Sequence, residues 1–164
     1  VEKALQLYDS ILIRHTNMMI GEAGSGKTSI LKTLAKALSK IPGKSKVNVH
    51  TLNPKAVTMN ELYGFYSESN SKWNDGVLTQ IFRKTTVDQS DEKHWIVLDG
   101  PVDAVWVENL NVLFDDNKKI ILSNGEILHL RKNTTMFLEV EDVCVASPAT
   151  VSRCGMVFIN PRTV

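Results

Sequence analysis

The residues best suited to chemistry lie in one glycine-rich run, residues 21–28, which reads Gly-Glu-Ala-Gly-Ser-Gly-Lys-Thr. The spacing fits the pattern G-x-x-x-x-G-K-[ST]. Its glycines allow a tight turn in which consecutive N–H groups converge on an anion, the lysine adds a cation, and the threonine hydroxyl can ligate Mg²⁺. We therefore expect a nucleotide's phosphate chain to be bound by Gly21, Glu22, Ala23, Gly24, Ser25, Gly26, Lys27 and Thr28, with Thr28 on the metal.

The flanking residues distinguish this pattern from a glycine-rich turn that binds nothing, which is the alternative interpretation. A short apolar run at 17–20 predicts a strand just before the glycines. After them, apolar residues recur at intervals of three and four, which predicts an amphipathic helix: Ile30, Leu31, Leu34, Ala35 and Leu38. A strand before the run and a helix after it are the context that a phosphate-binding loop requires.

A second candidate, Asp99, follows the apolar run 95–98, which is typical of a strand buried on both faces. Such a strand can deliver a carboxylate beside the phosphates, so we expect Asp99 to orient Mg²⁺, the alternative being a simple helix cap. The next residue is Gly100, where many nucleotide hydrolases of this class have a glutamate that polarises water. Glycine cannot accept a proton, so we expect little or no hydrolysis. Possible substitutes, more simply interpreted as helix-surface or capping acids, are Asp103, Glu108, Asp115 and Asp116.

Composition narrows the class of protein. The 164 residues are 43% hydrophobic and 23% charged, which argues against disorder, collagen and coiled coil. A net charge of +1 gives no bulk positive surface, and no apolar run approaches a membrane span, so we expect neither nucleic acid nor membrane as a partner. Two cysteines favour a reducing, cytoplasmic setting. Because the chain begins at Val1 without a leader, we interpret it as a segment of something longer.

Strands alternate with helices along the chain, which predicts an α/β fold with a mostly parallel sheet and helices on both faces. We expect helices over 1–14 and 103–114, a short helix at 148–153, and strands at 47–52, 135–140 and 155–159. Residues 53–74 are polar and predict a loop with room for a short helix. Asn124-Gly125 between two apolar arms predicts an inserted hairpin at 120–130, with positive φ at both turn residues.

Longer stretches resemble a known family. They are residues 98–109 (LDGPVDAVWVEN), 113–118 (LFDDNK) and 145–156 (VASPATVSRCGM), supported by 53–57, 61–64 and 74–78. These stretches are similar to the dynein heavy chain, specifically to the second AAA+ module of its motor ring, and more to the ciliary than to the cytoplasmic type. The resemblance covers nearly the whole chain.

The resemblance implies a P-loop NTPase fold, the AAA+ large subdomain, over residues 1–164, with five parallel strands in the order 5-1-4-3-2. The helical small subdomain is expected to follow Val164. The module is expected to hold ATP or ADP with Mg²⁺ and to turn it over slowly or not at all. Arg153 matches the arginine finger, which acts in trans on the nucleotide of the neighbouring module. The sensor position falls on Glu141, where an acid departs from the usual asparagine.

The implied partners are the neighbouring AAA+ modules of the same heavy chain and, through the full-length protein, dynein intermediate and light chains and microtubules. The implied location is the cytoskeleton, in the axoneme of a cilium. Two alternatives remain open. The module could hydrolyse ATP with a carboxylate from elsewhere, or the chain could be an unrelated P-loop kinase or transferase, although it has no lid-like arginine cluster.

Overall fold

The structure, a computed structural model, describes residues 1–144 and 146–160. Within these ranges the strands are β1 Thr16–Ile20, β2 Val47–Leu52, β3 Gly64–Tyr66, β4 Trp73–Asp75, β5 Lys93–Asp99, β6 Lys119–Ile121, β7 Ile127–His129, β8 Thr134–Val140 and β9 Gly155–Phe158. The helices are α1 Glu2–Ile13, α2 Lys27–Lys40, α3 Met59–Tyr63, α4 Val77–Val87, α5 Ala104–Glu108, α6 Asn111–Phe114 and α7 Pro148–Arg153, with a 3₁₀ helix at Pro54–Ala56. None of these helices combines the length and the apolar character that crossing a membrane would take.

Five strands form one parallel sheet in the order β2-β5-β8-β1-β9. Numbered one to five along the chain, this order is 2-3-4-1-5, which is 5-1-4-3-2 seen from the other edge. The predicted α/β class and strand order are therefore confirmed. Since all five strands run the same way, their carboxyl ends share one edge of the sheet, where ligands of open α/β folds bind.

Alternate residues of the central strands pack into two separate cores. On one face, Ile96 and Leu98 lie in a cluster with residues of α4, α5 and α6. On the other face, Trp95 and Val97 pack with α1 and α2, and the Trp95 ring lies 4.9 Å from that of Phe137. Both faces of β5 are thus covered, as its continuous apolar run predicts.

The inserted hairpin is confirmed, but its turn differs from the expected one. β6 and β7 pair antiparallel, with Ile120 opposite Leu128. Gly125 has φ of 84°, whereas Asn124 is not in the positive-φ region. Instead, the Asn124 side chain accepts a hydrogen bond from the Glu126 N–H at 2.9 Å. A side-chain hydrogen bond thus holds a longer loop than the two-residue turn that Asn-Gly predicts.

Two other segments differ from prediction. The expected helix at 103–114 is two short helices, because hydrogen bonds from Leu110 N to Val107 O and from Leu113 N to Leu110 O tighten the chain between them. The segment 53–74, expected to be a loop with room for a short helix, contains such a helix, α3, but also an unexpected hairpin of β3 and β4. Each of these strands has only three residues, too few for an alternating pattern to be recognised in the sequence.

Arg83 of α4 joins the two hairpins. Its guanidinium donates to both carboxylate oxygens of Asp75 in β4, at 2.5 and 3.1 Å, and to both oxygens of Glu126, at 2.7 and 2.5 Å. These bonds lower the pKa values of both carboxyl groups. Two bidentate contacts from one guanidinium fix direction as well as distance, so α4 holds both hairpins in place.

The two-sided packing of β5 leads to a stability prediction. Leu98→Ala removes a fully buried side chain from the core on the α4–α6 face of the sheet and should lower the free energy of unfolding by about 2–5 kcal/mol, measured by urea denaturation. The matched control is Leu5→Ala, which truncates a side chain that is 59% exposed on α1 and should change stability by less than about 0.5 kcal/mol. Equal losses in the two variants would contradict this description of the core.

A pH dependence follows from His15, whose Nε2 lies 2.9 Å from the Leu113 carbonyl. Burial lowers its pKa below the value in the unfolded chain, about 6.5. The unfolded chain therefore binds the proton more readily, so His15's contribution to stability is present above pH 6.5 and is lost as the pH falls toward the folded value. His15→Gln should show a smaller loss of unfolding free energy between pH 7.5 and 5.5 than the unmodified chain. A loss of the same size in both would refute this assignment.

Candidate nucleotide-binding site

Residues 21–28 form the turn between β1 and α2, at the carboxyl edge of the sheet. Gly24 and Gly26 have φ of 77° and 90°, a region that side chains disfavour. Gly26 is also the N-cap of α2 and provides no side-chain cap. The first amides of α2 have no partner inside the helix, and the positive end of its dipole lies at the same place. The Ser25 N–H is bonded to the Glu22 carbonyl, but the first amides of α2 have no partner among the described residues and lie in a field that favours an anion.

The Lys27 side chain folds back over this turn. Its ammonium donates to the carbonyl oxygens of Gly21 and Glu22, at 2.5 and 2.9 Å, and the residue is 9% exposed. The cation is thus held inside the loop rather than in solvent. Phosphate oxygens would be stronger partners for it than two neutral carbonyls, since a hydrogen bond between two charged groups is the stronger kind.

A cleft of about 680 Å³ opens beside the loop. It brings together the glycine-rich run and the ends of β5 and β8. The lining residues are Ala23, Gly24, Gly26, Lys27, Thr28, Ser29, Asp99, Gly100, Pro101, Val102, Glu139, Val140, Glu141 and Asp142. Of the predicted binding residues, Gly21, Glu22 and Ser25 belong to the loop but do not line the cleft.

Asp99 is the last residue of β5, and its side chain is exposed to the cleft. Its carboxylate forms no hydrogen bond or ion pair with any residue in the described ranges, so it is available to a metal ion or to metal-bound water. A larger residue in place of the adjacent Gly100 would require the Asn53 side chain to shift. A Cβ at this position would lie 2.8 Å from Oδ1 of Asn53, which is closer than real Cβ atoms approach an oxygen.

Glu139 is the functional candidate that the sequence interpretation missed. It lies in β8, opposite Asp99 of β5 and opposite Met19 of β1, and is 3% exposed. The Thr28 hydroxyl donates to its Oε2 at 2.5 Å, whereas its buried Oε1 has no partner among the described residues. One signal was present in the sequence: a charged residue within the otherwise apolar run 136–140. Buried charges of this kind usually have a specific partner.

The protonation of Glu139 is set by competing neighbours. Burial raises the pKa of its carboxyl, and the charge of Asp99 acts in the same direction. The hydrogen bond from Thr28 and the charges of Lys27 and Lys32 oppose this rise. Perturbed carboxyl groups in a cleft are typical of functional sites.

The other acids considered as water-activating residues lie elsewhere. Asp103 caps α5, accepting from the N–H groups of Val105 and Trp106, and pairs with Lys55. In the part of the chain that the structure describes, the cleft lining includes none of Asp103, Glu108, Asp115 and Asp116. Glu141, at the expected sensor position, does line the cleft and is exposed there.

Arg153, the last residue of α7, does not contribute to the cleft lining. Its guanidinium pairs with Asp115 and donates to the Ala149 carbonyl at 2.9 Å. The side chain is about one-third exposed. It is therefore separate from the residues that could bind a nucleotide on this chain.

Comparison with known proteins agrees with this geometry. The family model described as "AAA domain (dynein-related subfamily)" matches residues 17–154, which include the loop, Asp99, Glu139 and Arg153. The chain is 45% identical to dynein axonemal heavy chain 1 of Mus musculus, over 97% of this chain and 4% of that protein. It is 47% identical to the dynein-1-alpha heavy chain, flagellar inner arm I1 complex, of Chlamydomonas reinhardtii, over 100% of this chain and 4% of that protein.

A third relative, dynein axonemal heavy chain 3 of Homo sapiens, is 43% identical over 99% of this chain and 4% of its own length. The chain thus spans about one twenty-fifth of the curated relatives that it matches, and the match is to one short region of each. The family model covers most of the chain and agrees with the parallel sheet and the loop between β1 and α2. The chain belongs to the dynein-related subfamily of AAA domains.

Proposed function

We propose that this chain is a nucleotide-binding module of a dynein microtubule motor, corresponding to the second AAA+ module of the heavy chain. It binds ATP or ADP with Mg²⁺ through residues 21–28 and Asp99, hydrolyses the nucleotide slowly or not at all, and supplies Arg153 to the neighbouring module. The observation that carries the proposal is the cleft in which the free amides of α2, the Lys27 ammonium and the Asp99 carboxylate meet.

The residues of the cleft fit a triphosphate with its metal. The loop amides and Lys27 are donors and suit phosphate oxygens. The oxygens of Thr28 and Asp99 are the hard ligands that Mg²⁺ takes in proteins. Four carboxylates line the same cleft: Asp99, Glu139, Glu141 and Asp142. These carboxylates would repel a polyphosphate without a metal, so a cation is needed between the carboxylates and the phosphates. When bound, Mg²⁺ would neutralise phosphate charge.

The residues around Gly100 argue against rapid hydrolysis. The residue directly after Asp99 is Gly100, which carries no carboxylate, and a Cβ there would lie 2.8 Å from Oδ1 of Asn53. The alternative function, an ATP-hydrolysing module with a carboxylate from elsewhere, would need that group in the cleft. Glu139 is the buried carboxylate there, but its Oε2 is bonded to Thr28, on the side of the expected metal.

The proposed role of Arg153 rests on its position outside its own cleft and on the family match. The side chain of its partner Asp115 is 37% exposed, so the guanidinium can leave this ion pair at a modest cost. In a ring of modules, it would then be offered to the phosphates of the adjacent nucleotide, where a positive charge stabilises the transition state.

The names of the relatives suggest the wider setting. Dynein axonemal heavy chains and a flagellar inner-arm heavy chain are among the proteins similar to this chain. We propose accordingly that the module works in the cytoskeleton of a cilium or flagellum, beside other AAA+ modules of one heavy chain. The full-length protein would contact intermediate and light chains and microtubules.

Lys27→Ala should weaken Mg·ATP binding by the chain about 10- to 100-fold, because it removes a charged donor from the phosphates. Fluorescence titration with a labelled ATP or calorimetry measures this. Lys36→Ala, an exposed lysine on the same helix, is the matched control and should bind like the unmodified chain. In the assembled ring, Lys27→Ala should leave the rate of phosphate release from this site almost unchanged, because the site is expected to hydrolyse little or no ATP. A large loss of phosphate release from this site would favour the hydrolysing alternative.

Arg153→Ala in the assembled ring should slow hydrolysis at the adjacent module by about 10³-fold, the usual effect of losing an arginine finger, while Mg·ATP binding by its own cleft is unchanged. Single-turnover phosphate release measures the rate. Arg131→Ala, three residues before β8, is the control and should have no effect. A normal rate of hydrolysis at the adjacent module in Arg153→Ala would contradict the arginine-finger role of Arg153. It would not affect the proposal that this chain binds a nucleotide in its own cleft.

A further inference from the structure

Glu139 and Thr28 form a buried contact that joins the sheet to the helix that follows the loop. Thr28 is the second residue of α2, and Glu139 is the next-to-last residue of β8. The hydroxyl donates to Oε2 at 2.5 Å, the length of a strong hydrogen bond to a carboxylate. Glu139 thus holds the oxygen that the proposed site offers to a divalent cation.

This contact fixes the direction of the Thr28 oxygen. A hydroxyl has one proton and two lone pairs, and here the proton is committed to Glu139. The lone pairs are left to face away from the carboxylate, toward the cleft that Thr28 lines. A hydroxyl that kept its proton toward the cleft would repel a cation, so the contact selects the orientation that binds one.

Glu139 and Asp99 then have different tasks. Their backbones are paired in register, but Glu139 is 3% exposed and bonded to Thr28, whereas Asp99 is exposed and forms no hydrogen bond among the described residues. The exposed carboxylate is the one that can reach an ion in the cleft. The buried one acts through the hydroxyl, as residues behind metal ligands do.

The charge balance of the site also favours a further cation. The Oε1 atom of Glu139 is buried without a hydrogen-bond partner in the described ranges, although Asp99 adds a second negative charge nearby. The ammonium of Lys27, whose charge acts on Glu139, donates to two loop carbonyls instead. A divalent ion beside Thr28 would offset both carboxylates, whereas a nucleotide without a metal would meet them uncompensated.

We propose that Glu139 is a positioning residue that orients the Thr28 oxygen toward a divalent cation and thereby makes nucleotide binding in this cleft depend on Mg²⁺. This inference rests on the proposed nucleotide site. The competing explanation is a purely structural contact that fastens α2 to β8. The two differ in one measurable quantity, the ratio of nucleotide affinity with Mg²⁺ to affinity in EDTA, which a structural contact alone would not change.

The test compares the full chain with Glu139→Gln, which keeps the shape of the side chain and removes its charge. The dissociation constant for ATP is measured by calorimetry in Mg²⁺ and again in EDTA. We expect affinity in Mg²⁺ to fall about tenfold, as is typical when the partner of a metal ligand is lost. Affinity in EDTA should stay the same or rise, because a negative charge has gone from the cleft. Glu68→Gln, an exposed acid between β3 and β4, is the matched control and should leave both affinities unchanged.

Further variants keep the outcome decisive. Circular dichroism and thermal unfolding check that Glu139→Gln is folded. If it is not, Glu139→Asp replaces it, because this variant keeps the charge but withdraws the carboxylate from Thr28. Glu139→Asp should show a smaller fall in the ratio of affinity in Mg²⁺ to affinity in EDTA. In a Thr28→Val background, Glu139→Gln should cause no further fall, because the two residues act as one unit. An unchanged ratio in a folded Glu139 variant, with normal Mg·ATP binding by the parent chain, overturns this inference and leaves the proposed function standing. No ATP binding by the parent chain in Mg²⁺ overturns both.

Discussion

The parallel pairing of β1, β5 and β8 is the constraint on which the whole site depends. It brings the carboxyl ends of three strands to one edge, where β1 leads into the glycine-rich loop, β5 ends in Asp99 and β8 carries Glu139. A one-residue change of register would turn Asp99 and Glu139 to the opposite face of the sheet, away from α2. The buried alternation of Trp95, Ile96, Val97 and Leu98 holds that register, because each face has its own core to fill.

The chemistry of the cleft follows from what this edge carries and what it lacks. Donors come from the loop and from Lys27, and acidic oxygens come from the two neighbouring strands. The position after Asp99, where a hydrolase of this class would carry its water-activating acid, is a glycine packed against Asn53. This arrangement is the basis of the proposed function, in which the cleft holds a nucleotide with its metal and cleaves it slowly or not at all. In that proposal the module would serve a ring by offering Arg153 to its neighbour.

The parts that could be predicted from sequence are those encoded locally. The glycine pattern, the flanking strand and helix, and the apolar run ending in Asp99 each lie within a few consecutive residues, and the structure brings them together as the pattern indicates. The hairpin at 120–130 is also predicted from Asn124-Gly125, although its turn is held by a hydrogen bond from the Glu126 backbone N–H to the Asn124 side chain rather than by two positive φ angles.

The features that escaped prediction depend on contacts distant in sequence. Glu139 is 111 residues from Thr28, and nothing in its own neighbourhood shows that it faces α2. The contact of Arg83 with both hairpins also could not be predicted, because Arg83 and Glu126 are 43 residues apart in the sequence. The β3–β4 hairpin has three-residue strands with exposed Phe65 and Tyr66, so no alternation of apolar and polar residues marks it.

The most direct measurement of the central claim is a structure of the assembled ring that contains this module, determined with Mg²⁺ and a non-hydrolysable ATP analogue. We expect the phosphates to lie within hydrogen-bond distance of the backbone amides of the loop and of Lys27, with the metal beside Thr28 and Asp99. If the cleft of this module were empty while the other modules of the ring held the analogue, the claim that this cleft binds a nucleotide would be contradicted.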